Sequence, residues 1–210
     1  MNNYRAAKSG FAREAQAKLE ANFPPEEAKK CLEWIEAVTG ERMKTDFGTD
    51  KAQAMQCFYE SLKDGMALCK LVDALSPPDS KIDFNSKTFQ PAKIPAFVAA
   101  RERERIGLFL NKAMEIGVPE ANLFQTDYLY EKTCLVQVCA CIRALGIEAQ
   151  SKPHYRGPMM WPKKCEENRR NFSEEQLKAG QQVISLQYGT NKGASQAGIN
   201  MGKRRMIMQE

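Results

Sequence analysis

Residues 64–75, DGMALCKLVDAL, decide the fold. Leu68, Leu71, Val72 and Leu75 recur at i, i+3, i+4 and i+7, the spacing that puts side chains on one face of a helix. Met66 and Cys69 widen that apolar surface beyond a single stripe, which predicts a helix covered on several sides and central to the body. Asp64-Gly65 mark its start, and Pro77-Pro78 stop it.

Working outward, the same period recurs on both sides. Upstream, Thr49 is the expected cap of a helix carrying Met55, Phe58, Tyr59 and Leu62 inward. Before that, Pro25 suits a first helical position, and Cys31, Trp34, Ile35 and Val38 make a buried face that ends at Gly40. Further upstream, Phe11, Ala15 and Leu19 lie four apart within 4–21, an amphipathic helix expected to pack weakly on the body.

Downstream, residues 76–95 contain Pro77, Pro78, Pro91 and Pro95 and read as an irregular connection pinned to the core by Ile82, Phe84 and Phe89. The alternating-sign run RERER, 101–105, reads as a solvated helix face. It precedes Ile106, Phe109, Leu110, Ala113 and Met114 at helical spacing, and Gly117 and Pro119 close that helix. A last helix turns Leu135, Val138, Cys139 and Ile142 inward and is expected to stop near Gly146. No strand-type alternation persists between residues 1 and 146, so the expected class is all-α, with a basic, mostly irregular C-terminal arm.

The chain has 210 residues and a net charge of +5, distributed unevenly. From Ser151 onward there are eleven Lys/Arg against five Asp/Glu, so the tail is the basic part. Its linker-like start holds Pro153, Tyr155, Pro158, Trp161 and Pro162. An indole there is expected to lie against the body, the alternative being a peptide-like docking surface. His154 reads as a solvated loop residue. Ser173-Glu174-Glu175-Gln176 is a capping box that opens a helix of one or two turns ended by Gly180. Residues 189–205, GTNKGASQAGINMGKRR, then place glycines at intervals of four, five and four. Glycine loses the most backbone entropy on ordering, so this segment disfavours helix and strand and reads as either linker or contacting arm.

Seven cysteines without a C-x-x-C, and a single histidine, fit buried reduced thiols better than a zinc site. With no apolar leader and no run of eighteen apolar residues, the expectation is an intracellular protein. One histidine in a proline-rich loop gives no seat for a catalytic triad. Gly193 and Gly198 have phosphate-loop spacing, but Ile199-Asn200 follows where Lys-Ser/Thr is needed. No calcium-loop motif occurs. Catalytic residues, metals and cofactors are therefore expected to be none, and the reading is a binder rather than an enzyme. Nucleic acid is disfavoured because no aromatics interleave with the tail's cations, and a membrane surface because no long amphipathic helix accompanies them.

DGMALCKL at 64–71, the Trp34 helix, IGLFL at 106–110, GVPE at 117–120 and LFQT at 123–126 together resemble a calponin-homology domain over about residues 25–146. Arg105 and Asp127-Tyr128 depart from the family pattern. Residues 183–205, above all GTNKGASQAG at 189–198, resemble the calponin-like repeat of transgelins, calponins and muscle-protein-20 relatives. Ile199 and the two-residue gap before Gly202 depart from it.

The expected organisation is an N-terminal amphipathic helix in 1–24, a Pro/aromatic linker in 148–172 and a short helix after it, with the resemblance adding a calponin-homology domain in 25–147 and a repeat within 173–210. The resemblance implies a cytoplasmic, cytoskeleton-associated protein that binds F-actin, with bundling or stabilising of filaments left open. The implied contacts are Gly189, Thr190, Asn191, Lys192, Gly193, Ser195, Gln196, Gly198, Lys203, Arg204 and Arg205, with Ser195 also a candidate phosphorylation site. Signalling or Ca2+-sensor proteins are further candidate partners. The alternative is an adaptor whose calponin-homology domain docks a non-actin partner while the repeat is idle.

Overall fold

The computed structural model describes residues 9–45, 47, 50–165 and 170–181. The chain divides into two units, Met1–Cys165 and Glu166–Glu210. The first holds helices α1 (Gly10–Ala21), α2 (Pro25–Thr39), α3 (Lys51–Leu62), α4 (Met66–Leu75), α5 (Pro95–Ile116), α6 (Thr126–Tyr130) and α7 (Leu135–Gln150). Single 3-10 turns stand at Pro78–Ser80 and Glu120–Asn122. The second unit holds α8 (Glu174–Gln181). Among the described residues there is no strand, and the class is all-α.

α4 is central, packed on α2, α3 and α5, while α7 closes the other side against α2, α5 and α6. Leu68, Leu71 and Val72 are fully buried beside Trp34, Phe58, Ile106 and Phe109. Burying a side chain of this size contributes about 1.5–3 kcal/mol. Backbone chemistry sets the helix ends. Pro25 stands at the start of α2, and Gly40 and Gly117 close α2 and α5 in the left-handed region.

Several local expectations give way to particular interactions. Thr49 lies outside the described residues, and the cap of α3 is Asp50, whose carboxylate accepts from the Ala52 amide at 3.2 Å. Ile82 packs on the core, whereas Phe84 and Phe89 are only half-buried and pair with each other, ring centroids 4.8 Å apart. α5 begins at Pro95, so RERER lies inside a 22-residue helix. Met114 is exposed, because Ile106, Phe109, Ala113 and Ile116 define the buried face and Met114 lies a further 100° round the helix. Phe11 is exposed as well, and α1 contributes no buried residue.

α7 does not stop at Gly146 but runs on to Gln150. Gly146 is a packing residue: a Cβ there would lie 2.2 Å from Cδ1 and Nε1 of Trp161. Gly180 likewise falls inside α8.

Candidate functional site

Every residue expected to contact a partner, Gly189, Thr190, Asn191, Lys192, Gly193, Ser195, Gln196, Gly198, Lys203, Arg204 and Arg205, lies outside the described residues. The segment before them is described as far as Gln181. There the capping box forms: Gln176 Oε1 accepts from the Ser173 amide at 3.0 Å, and Ser173 Oγ accepts from the Gln176 amide at 3.3 Å. Glu174 and Glu175 occupy the first turn and Lys178 the last, the arrangement the helix dipole favours. Phe172 and Leu177 remain exposed.

The body ends in a strap, residues 152–164, laid along α2 and α7. Trp161 is 93% buried, and its indole meets that of Trp34 edge to face, centroids 5.8 Å apart at 82°. Its backbone is held twice by one side chain: Gln150 Nε2 donates to Trp161 O at 3.0 Å, and the Trp161 amide donates to Gln150 Oε1 at 2.9 Å. Lys30 Nζ stands 5.0 Å from the indole centroid. The Tyr155 hydroxyl accepts from Trp34 Nε1 at 3.1 Å and donates to Pro158 O at 2.8 Å. Lys164 donates to both oxygens of Glu148 at 2.8 Å. His154 is exposed, as expected, but its Nε2 is tethered 3.3 Å from Leu75 O. Trp161 Nε1 is buried with no acceptor, an arrangement that costs about 1–3 kcal/mol.

A second feature of the body joins α3, α5 and α6. The Tyr59 hydroxyl donates to Tyr130 O at 3.1 Å. Lys63 Nζ lies 5.7 Å from the Tyr59 ring and 5.9 Å from that of Tyr130. Arg103 stands 4.5 Å over Tyr130 and bonds Glu131 at 3.1 Å, while Lys132 Nζ is 5.7 Å from Tyr59 and donates to Gln56 Oε1 at 2.7 Å. Such cation–ring contacts contribute about 0.5–1 kcal/mol each at exposed sites. Lys132 holds a left-handed φ of 56°, the one non-glycine residue to do so among those described. Burial raises the Tyr59 hydroxyl above its ordinary pKa, with Lys63 opposing. Residues 71 apart in sequence meet here, so no local pattern announces the cluster.

Three buried thiols, Cys69, Cys139 and Cys141, are not poised for nucleophilic chemistry. Burial pushes Cys69 and Cys141 up to about 12. Cys139 is raised too, first by a hydrogen bond with the free Cys31 thiol and then by burial. These groups stay protonated at neutral pH, and the thiolate is the reactive form. Among the described residues, no three His, Cys, Asp or Glu side chains gather where they could hold a metal ion. No described helix is long and apolar enough to cross a membrane.

Comparison with known proteins adds two matches and close relatives. The family described as "Calponin homology (CH) domain" matches residues 25–151, and the "Calponin family repeat" matches residues 184–207. Myophilin of Echinococcus granulosus is 44% identical over 200 residues, covering 95% of this chain and 96% of that protein. Muscle-specific protein 20 of Drosophila melanogaster is 39% identical over 197 residues, covering 93% and 96%. The solved calponin-homology domain of Rng2 from Schizosaccharomyces pombe aligns at a TM-score of 0.44 with 24% identity, over 80% of this chain and 87% of that one.

Proposed function

The chain belongs to the calponin family, with one calponin-homology domain and one calponin family repeat, and we propose that it binds actin filaments through that repeat. The calponin-homology body serves as scaffold or secondary contact, and the protein acts by binding rather than by catalysis. One observation carries the reading: the repeat match at 184–207 falls on the segment that holds Lys192, Lys203, Arg204 and Arg205. Lysine offers a point charge and arginine a bidentate fork to carboxylates, while the intervening glycines let a partner approach the backbone.

Magnitudes set the strength of the contact. An exposed ion pair contributes about 0.2–1 kcal/mol, and ordering a segment on binding costs roughly 2–5 kcal/mol. A single repeat therefore binds weakly, and binding falls with salt. Co-sedimentation with filamentous actin across a salt series tests this, and tight binding that ignores salt and survives deletion of residues 189–210 would defeat it.

Ser195 lies three residues after Lys192, and its phosphorylation would bring about −1.5 to −2 charges into the cationic arm. Ser195→Asp, which adds roughly half that charge, is expected to lower the pelleted fraction by about two- to tenfold, the equivalent of one or two weak ion pairs. An unchanged pellet removes Ser195 as a control point.

The cation-covered Tyr59–Tyr130 face favours a second reading, an adaptor whose body docks a non-actin signalling or Ca2+-sensor protein. That reading predicts that the full chain stays in the supernatant with filaments. It also predicts that Arg103→Glu abolishes capture of the partner.

A further inference from the structure

We propose that the strap, residues 152–164, is a latch that opens as a unit from α2 and α7 while the helices stay folded, and that opening uncovers Trp34. Three observations carry this. The strap contains no helix or strand, and Pro153, Pro158 and Pro162 have no amide hydrogen with which to hold it. Its attachments are the Trp161 indole against Gly146, Trp34 and Lys30, the paired bonds to Gln150, the Tyr155 hydroxyl, the His154 contact with Leu75 O, the Lys164–Glu148 ion pair, and Tyr155 and Met160 partly buried on the core. Between these points Arg156 is exposed and Met159 is 75% exposed.

The indole is the soft point of the closure. Its Nε1–H has no acceptor when the latch is shut, and water satisfies it when the latch is open. Opening also frees Trp34 Nε1 from Tyr155, and that donor too then gains water. Trp34 is fully buried with the strap in place, and the strap supplies both its aromatic partner and its hydrogen-bond acceptor. Segments joined to a body by few buried apolar contacts open below the global unfolding free energy.

Gly146 allows the latch to be opened without weakening the helix beneath it. Alanine has a higher helix propensity than glycine, so Gly146→Ala favours α7. The same Cβ, 2.2 Å from the indole, expels Trp161 from its slot. The substitution therefore acts with opposite sign on helix and latch.

The test is native-state hydrogen exchange of the full chain, wild type beside Gly146→Ala and Trp161→Ala. In the wild type, the Trp161 amide is expected to exchange with a lower opening free energy, and a weaker urea dependence, than the amides of α4. In both variants the backbone amide at position 161 should accelerate on the order of 100-fold while α2 and α4 amides change less than about threefold. Acrylamide quenching of the Trp34 emission in Trp161→Ala should rise in parallel, since the chain has only two tryptophans. Exchange of Trp161 at the same free energy and urea dependence as α4 would show the strap to be ordinary core and overturn the latch. So would equal acceleration of strap, α2 and α4 in Gly146→Ala.

Discussion

Trp34→Ala is expected to destabilise the body by about 3–5 kcal/mol, the range for removing a buried large aromatic. Trp34 is fully buried on α2, where it packs in the central cluster and takes the edge of the Trp161 ring. The substitution leaves a cavity and removes the donor that the Tyr155 hydroxyl accepts. Domains of this size are stable by roughly 5–15 kcal/mol, so one side chain accounts for a large share. Each kcal/mol shifts the melting temperature by about 2–4 °C, so thermal unfolding followed by circular dichroism should fall by on the order of 10 °C. A drop of only two or three degrees would mean that the α2 face repacks and that Trp34 does not anchor it.

Gly65→Ala is the second large effect, expected at about 2–4 kcal/mol. Gly65 precedes α4 with φ 72°, a left-handed conformation that costs an L-residue roughly 1–2 kcal/mol. It also lies at the crossing with α5. A Cβ there would sit 2.9 Å from Arg105 Cβ and 3.2 Å from the Ile106 amide nitrogen. The Cys69 thiol donates to Arg105 O at 3.2 Å across the same crossing. Neither helix can yield without disturbing Leu68 or Ile106, and overpacking of this kind costs about 1–3 kcal/mol. Gly40→Ala is the control, because Gly40 has φ 74° but open space around its would-be Cβ. Urea denaturation should show Gly65→Ala losing clearly more than Gly40→Ala. Equal losses would remove the close approach of α4 and α5 from the account.

The contrast between these glycines also marks what the sequence makes legible. α2 and α4 could be read because their apolar period, Pro25, and the Asp64-Gly65 and Pro77-Pro78 boundaries are all local. The left-handed turn at Gly65 follows from the dipeptide, but its contact with Arg105 does not, since Arg105 lies far along the chain, on α5. Gly146 misleads for the same reason. Read locally it ends a helix, whereas its cause is the Trp161 indole returning from the strap. Pro95 reads as loop punctuation and is instead the first residue of α5. Phe84 and Phe89 are apolar enough to suggest a core anchor, yet they are half-buried and pack on each other. The Tyr59–Tyr130 face was illegible because it depends on three helices and on Lys132 in a left-handed turn. The repeat stands apart: its glycine spacing alone does not separate linker from arm, and what identifies the segment is a match to the calponin family repeat over 184–207.

The central claim, that the repeat carries the filament contact, is tested most directly by co-sedimentation with filamentous actin. The full chain is compared with a truncation ending at Arg170, at low and near-physiological salt. The prediction is that the full chain pellets with filaments at low salt and less so as salt rises, while the truncation remains in the supernatant. Equal pelleting of the two proteins would contradict it and move the contact to the calponin-homology body.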